Sequence, residues 1–181
     1  AYDPLDPSGN ITITWDLIKW TDDGYYASVT VQNFQQYRHI ETPGWSLQWT
    51  WAKNEIIWEM RGAQATEGGD CSDFKSDPIP HSCSKHPNVV DLLPKLNDES
   101  KFYRNCCRGG VLAAWAQDPS NSVSSFEIKV GRTGNSNTTI NTPKDFGLKG
   151  PGPGYSCSSA EIVQPTLFPD MDDERRSTRA L

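Results

Sequence analysis

A chain of 181 residues is long enough for one domain with a proper core plus appended segments. Only 35% of its residues are hydrophobic and no run approaches the roughly 18 apolar residues of a membrane span, so the chain as given reads as soluble. Seventeen Lys and Arg stand against twenty-three Asp and Glu, for a net charge of −6 with no basic stripe to track a phosphate backbone, which argues against nucleic acid and for an uncharged partner.

In chain order, a turn-rich opening, Asp3-Pro4-Leu5-Asp6-Pro7-Ser8-Gly9, leads into Asn10 to Leu17, where Ile11, Ile13, Trp15 and Leu17 alternate with Thr12, Thr14 and Asp16. Alternation of this kind predicts a half-buried strand. Thr21-Asp22-Asp23-Gly24 is a turn signal, and Tyr25 to Asn33 alternates again through Ala27, Val29 and Val31. After Pro43-Gly44, the side chains of Trp45, Leu47, Trp49 and Trp51 fall on one face. Beside two other amphipathic strands that face is expected to fill a sandwich core, with Trp49 and Trp51 inside. Glu55 to Met60 is a further strand of ambiguous sidedness, since Ile57 opposes Ile56, Trp58 and Met60.

Between Arg61 and Asn105 the composition turns to Gly, Asp, Ser, Pro and Cys, with Val89-Val90-Asp91-Leu92-Leu93 as the apolar anchor. A connection this long marks a functional segment or an unrecognised element. Strand patterning returns at Gly110 to Trp115 and at Ser124 to Val130. Beyond Gly131 the chain is polar, Gly150-Pro151-Gly152-Pro153-Gly154 opposes regular structure, and Asp170 to Arg179 is a mixed charge run. The expected class is all-β: an antiparallel β-sandwich, immunoglobulin-like or carbohydrate-binding-module-like, with a disulfide-rich insertion and an irregular C-terminal extension. The sandwich domain is placed at residues 1–139 with the insertion at 61–105, and the extension at 140–181.

Cys71, Cys83, Cys106, Cys107 and Cys157 include no Cys-x-x-Cys pair, a pattern that reads as disulfide bonding in an oxidising compartment with one thiol left over. Asn10-Ile11-Thr12 and Asn137-Thr138-Thr139 are glycosylation acceptors in a secreted chain. No signal peptide opens the sequence, which predicts a mature N-terminus.

The segments YDPLDPSGNITITWD, YRHIETPGW, WTWAK, GAQATEGGDCS, VVDLLP, NCCRGG, QDPSNS and GPGPGYSC, in this order across essentially the whole chain, resemble the COBRA family of plant cell-wall proteins. The resemblance implies a secreted precursor held on the outer face of the plasma membrane by a glycosylphosphatidylinositol (GPI) lipid anchor, and a role in cellulose deposition and oriented cell expansion. Family members carry a later cysteine-rich domain and a hydrophobic anchor-directing tail. The chain stops at Arg179-Ala180-Leu181, short of both, and is expected to be a fragment or a shortened member with no anchor signal of its own. Ser82-Cys83 stands where some relatives carry a cysteine pair.

YYASVTVQN followed by PGWSLQWTW is also similar to the strand pair of bacterial type-two cellulose-binding modules, β-sandwiches that present three exposed tryptophans on a flat face. The matching positions are Trp20, just before the first of these strands; Trp58, after the Gly-Trp-x-Leu-x-Trp strand; and Trp115, ahead of Asp118-Pro119 and Ser124-Ser125-Phe126. Tyr25 and Tyr26 straddle a strand, so one points outward, and Tyr26 is taken as a lesser contact residue. Cellulose offers axial C–H groups on its sugar faces, against which an indole stacks and removes apolar surface from water. At about 25 cal/mol per Å² each ring contributes roughly 1–3 kcal/mol gross. Amides such as Gln32, Asn33 and Gln117 are candidates for bonds to ring-edge hydroxyls.

Other chemistries are less well supported. His81, Cys83 and His86, with Cys71, have zinc-type donors without short paired spacing, and Asp70, Asp73 and Asp77 lack the spacing and glycine of a calcium loop. Glycan hydrolysis requires two positioned carboxylates, and nothing in the sequence singles out a pair. Ala1 excludes an N-terminal histidine brace for copper. The expectation is a non-catalytic module without cofactor or metal that binds cellulose or another β-glucan. The alternative is a protein-interaction ectodomain of a wall-assembly complex in which the tryptophans are core and the 61–105 insertion makes the contact.

Overall fold

The computed structural model describes residues 10–72, 80–94, 103–133, 142–151, 155, 157–161, 163–167 and 177–180. Among these residues it is an all-β sandwich of ten strands: β1 (Ile11–Trp20), β2 (Tyr25–Asn33), β3 (Ser46–Thr50), β4 (Ile56–Arg61), β5 (Ala63–Ala65), β6 (Asn88–Asp91), β7 (Val123–Gly131), β8 (Lys144–Lys149), β9 (Val163–Leu167) and β10 (Ser177–Ala180). One sheet has the order β4-β7-β2-β1-β10-β9 and the other β5-β6-β3-β8, and every pairing is antiparallel.

The period-2 pattern explains the pairing. Ile13↔Val31 and Trp15↔Val29 across β1 and β2, then Val29↔Phe126 and Ala27↔Ile128 across β2 and β7, line up the apolar residues of three strands on one inner face. Leu47, Trp49, Val89 and Leu148 supply the opposing face, and all of these except Ile13, which is half-buried against them, are buried. Aromatic rings lock the two layers together. Trp15 meets Trp49 edge-on at 5.3 Å and Trp51 at 6.1 Å, and Trp45 stacks on Phe126 at 6.2 Å. Trp15, Trp45, Trp49 and Trp51 are each 1% exposed, so four of the seven tryptophans, including the two expected inside, are core.

Several elements differ from the sequence expectation. Gly110 to Trp115 forms no strand: only Leu112 makes a bridge, to Ile40, because the chain here carries positive-φ glycines at Gly109 and Gly110 and then a tight turn. The 61–105 insertion supplies β5 and β6, which pair with each other and join the four-stranded sheet through β3. Strands also continue into the 140–181 extension, where β8 pairs with β3, and β9 and β10 join the six-stranded sheet beyond β1.

Candidate carbohydrate-binding surface

Two β-bulges decide where the aromatic residues point. In β1 the register shifts between Leu17 and Lys19, so that Lys19 faces Tyr26 and Trp20 faces Tyr25. Tyr25 is buried and pairs with Val130 on the inner face, which puts Trp20 on that same side, at the rim of the sandwich. Trp20 is half-buried, packs against the core and meets Tyr25 edge-on at 6.1 Å. The odd-even count alone would have turned it outward; the extra residue reverses it.

In β4 the shift falls between Ile57 and Glu59 and leaves Trp58 as the extra residue. Its ring lies over the outer side of Gly131, where a Cβ would come within 2.0 Å of Nε1, and Nε1 donates to Asp23 Oδ2 at 2.7 Å. Asp23 belongs to the β1–β2 turn, so Trp58 and Trp20 sit at the same end of the sheet on opposite faces. Tyr26 shares the outer face with Trp58, and β7 separates their strands, a lateral offset of about 10 Å. Lys19 Nζ at 4.8 Å and Lys129 Nζ at 5.6 Å from its centroid flank the Tyr26 ring.

Trp115 occupies the other end. Its backbone N–H donates to Gln35 O just past β2, and the nine-residue length of β2 puts it roughly 27 Å from the β1–β2 turn. At 41% exposure it is the one exposed tryptophan among the described residues, and its ring tilts against Phe34 at 5.3 Å. The reason is local. Ala114 O accepts from both Gln117 N and Asp118 N, a tight turn anchored by buried Ala114, which leaves the next residue, Trp115, outside. Asp118 braces the following 3-10 turn by accepting from Asn121 Nδ2 at 2.7 Å and Ser120 Oγ at 3.0 Å, and these bonds hold its carboxyl below the usual carboxylate range.

Polar groups surround this end. His39 Nδ1 accepts from Ala114 N, which fixes the tautomer with hydrogen on Nε2, and Nε2 therefore donates to Gln117 Oε1 at 2.9 Å. That bond orients the exposed Gln117 amide with its NH2 group available for a hydroxyl acceptor. Asn33 is not such a group: it is fully buried, and its Nδ2 donates to Arg38 O and Ala113 O. Tyr37, 73% exposed, adds an aromatic ring two residues beyond Gln35; it lies in an irregular stretch with no periodicity to single it out in the sequence.

Cys71 and Cys83 are bonded, as are the adjacent Cys106 and Cys107, and Cys157 is a half-buried free thiol. The first bond takes both thiols of the zinc-type group; His81 Nε2 accepts from Ala65 N and His86 Nδ1 meets Thr50 Oγ1. The Cys106–Cys107 loop is held by Asp91, whose buried carboxylate accepts from the backbone N–H groups of Leu92, Cys107, Arg108 and Gly110 at 2.9–3.0 Å. Tyr103 from the same loop covers the middle of the outer face through its hydroxyl bond to Ser28 Oγ at 3.1 Å. Asn10 is exposed, and Asn137 lies outside the described residues.

The COBRA N-terminal domain profile matches residues 25–181. The chain belongs to the COBRA family. It is 61% identical over all of its length to COBRA-like protein 1 of Arabidopsis thaliana, 58% identical over 99% of its length to COBRA-like protein 1 of Oryza sativa subsp. japonica, and 56% identical over all of its length to Protein COBRA of Arabidopsis thaliana. These alignments cover 39%, 40% and 39% of the relatives, so the chain spans about two fifths of the length of the COBRA proteins it matches. No solved structure matches it. No helix among the described residues is long and apolar enough to cross a membrane.

Proposed function

We propose that this COBRA domain binds cellulose or a related β-glucan at the plant cell surface without cleaving it, and thereby influences microfibril assembly and oriented cell expansion. The setting is extracellular, with membrane association only through a lipid anchor on the full-length protein. The observation that carries the reading is Trp115, an indole exposed to solvent yet held in orientation by Phe34 and by the turn at Ala114. An aromatic ring fixed before the ligand arrives loses little rotamer freedom on stacking, so more of its roughly 1–3 kcal/mol survives as affinity. Gln117, oriented by His39, supplies a donor for a ring-edge hydroxyl beside it. Trp58 and Tyr26 form a second platform on the outer face, with the Trp58 N–H already satisfied by Asp23. Trp20 contributes least, because its ring belongs to the inner rim.

The test is depletion of the secreted protein from solution by microcrystalline cellulose, with reducing sugar measured in the supernatant. Saturable depletion without sugar release supports the proposal. Absence of depletion favours the protein-interaction reading, and release of reducing sugar overturns the non-catalytic one.

A further inference from the structure

A cleft of about 310 Å³ is lined by the start of β1, by Phe146 of β8 and by residues 157–161. That volume is at the lower end of the range in which proteins hold small organic ligands. Its walls are of two chemical kinds. Ile13, Trp15 and Phe146, the last two with ring centroids 6.3 Å apart, provide an apolar side; Ser158, Ser159 and Glu161 make the opposite wall polar. A sugar presents the same division, with C–H faces and hydroxyl edges, and an apolar metabolite or an inorganic anion does not.

Asn10 identifies the occupant. It lines the cleft, it is exposed, and with Ile11 and Thr12 it forms a glycosylation acceptor. Its backbone is fixed, since Asn10 O accepts from Phe34 N at 2.7 Å, so whatever its side chain carries starts at the rim. In glycosylation Asn10 Nδ2 attacks C1 of the first N-acetylglucosamine of a lipid-pyrophosphate-linked donor; the N–C1 bond forms, the C1–O bond to the lipid pyrophosphate breaks, and one amide proton is lost. The sugar is then tethered beside the cleft at an effective concentration on the order of millimolar or higher, so even a weak site is filled.

We propose that the cleft seats the first N-acetylglucosamine of a glycan on Asn10, a carbohydrate contact in cis that does not use the Trp115 ring. It rests on occupancy of Asn10 and not on cellulose binding, so the two fail independently. The seated sugar covers the 157–161 segment and the half-buried Cys157.

The experiment uses the protein secreted from a glycosylating host in three forms: with its full glycan, trimmed to one N-acetylglucosamine by an endoglycosidase, and as Asn10→Gln. Mass spectrometry reads occupancy, and hydrogen exchange reads residues 157–161, with residues 56–61 of β4, three strands away from β1, as the distant reference. The expected result is exchange at 157–161 about fivefold slower in both sugar-bearing forms than in Asn10→Gln, with the reference unchanged. If Asn10→Gln does not fold, enzymatic release of the glycan from the folded protein supplies the bare form. An unmodified Asn10, equal exchange in all forms, a change spread uniformly over the chain, or a trimmed form that exchanges like the bare one overturns the proposal.

Discussion

Trp58 Nε1 donates to Asp23 Oδ2 at 2.7 Å, tying the bulge of β4 to the turn between β1 and β2 across two intervening strand interfaces. The bond fixes the indole against Gly131, where no side chain fits. Asp23→Ala is expected to cost about 1–2 kcal/mol in urea unfolding, at the low end for a hydrogen bond to a charged acceptor because this one is exposed to solvent. Gly131→Ala should cost more, about 2–3 kcal/mol, because the added methyl overlaps the ring. Equal stability of Gly131→Ala and wild type would show that Trp58 is not seated there.

Asp91 predicts a larger effect. Its carboxylate satisfies four backbone donors, two in buried and two in part-buried bonds, so Asp91→Ala leaves all four without this acceptor, and Asp91→Asn turns an NH2 group toward some of them. Both variants are expected to lose about 3 kcal/mol or more by denaturant unfolding. A loss below about 1 kcal/mol would mean that the 107–110 loop does not depend on this carboxylate.

Glu55, in the turn between β3 and β4, is 4% exposed, and neither carboxylate oxygen has a hydrogen bond of good geometry. Burial raises its pKa, offset in part by the backbone amides of Lys53 and Glu55, by the Lys85 ammonium and by the Ala52 amide. Since the folded value exceeds the unfolded one, the unfolded chain gives up its proton first as pH rises. Stability therefore falls with rising pH between the ordinary carboxylate value and the raised one, and acidification through that window restores it. Glu55→Gln should raise Tm at about pH 7 and give no advantage at about pH 4, where the native acid is already neutral. The same gain at both pH values would contradict this.

Much of the sandwich was legible because β1, β2 and β7 alternate cleanly, and the burial of Trp45, Trp49 and Trp51 follows from one run of period 2. Bulges were not legible: one extra residue at Ile18 turns Trp20 inward, and another displaces Trp58 onto Gly131, and neither has a marker in the local sequence. β8 was missed because Lys144, Asp145 and Lys149 break its pattern; it is short and pairs only with β3 in its sheet, so it needs few apolar residues. The exposure of Trp115 came through, since it precedes a turn signal, whereas Tyr37 gave none.

In the proposed function, oriented, exposed aromatic rings bind β-glucan while the buried tryptophans hold the fold. Binding isotherms of wild type, Trp115→Ala and Trp49→Ala on crystalline cellulose, each with a thermal melt, test it most directly. Trp115→Ala is expected to keep its Tm and lose about tenfold or more in affinity, the equivalent of about 1.4 kcal/mol. Trp49→Ala should lose about 3–5 kcal/mol of stability. Unchanged affinity in Trp115→Ala with an intact fold would contradict a binding role for this ring.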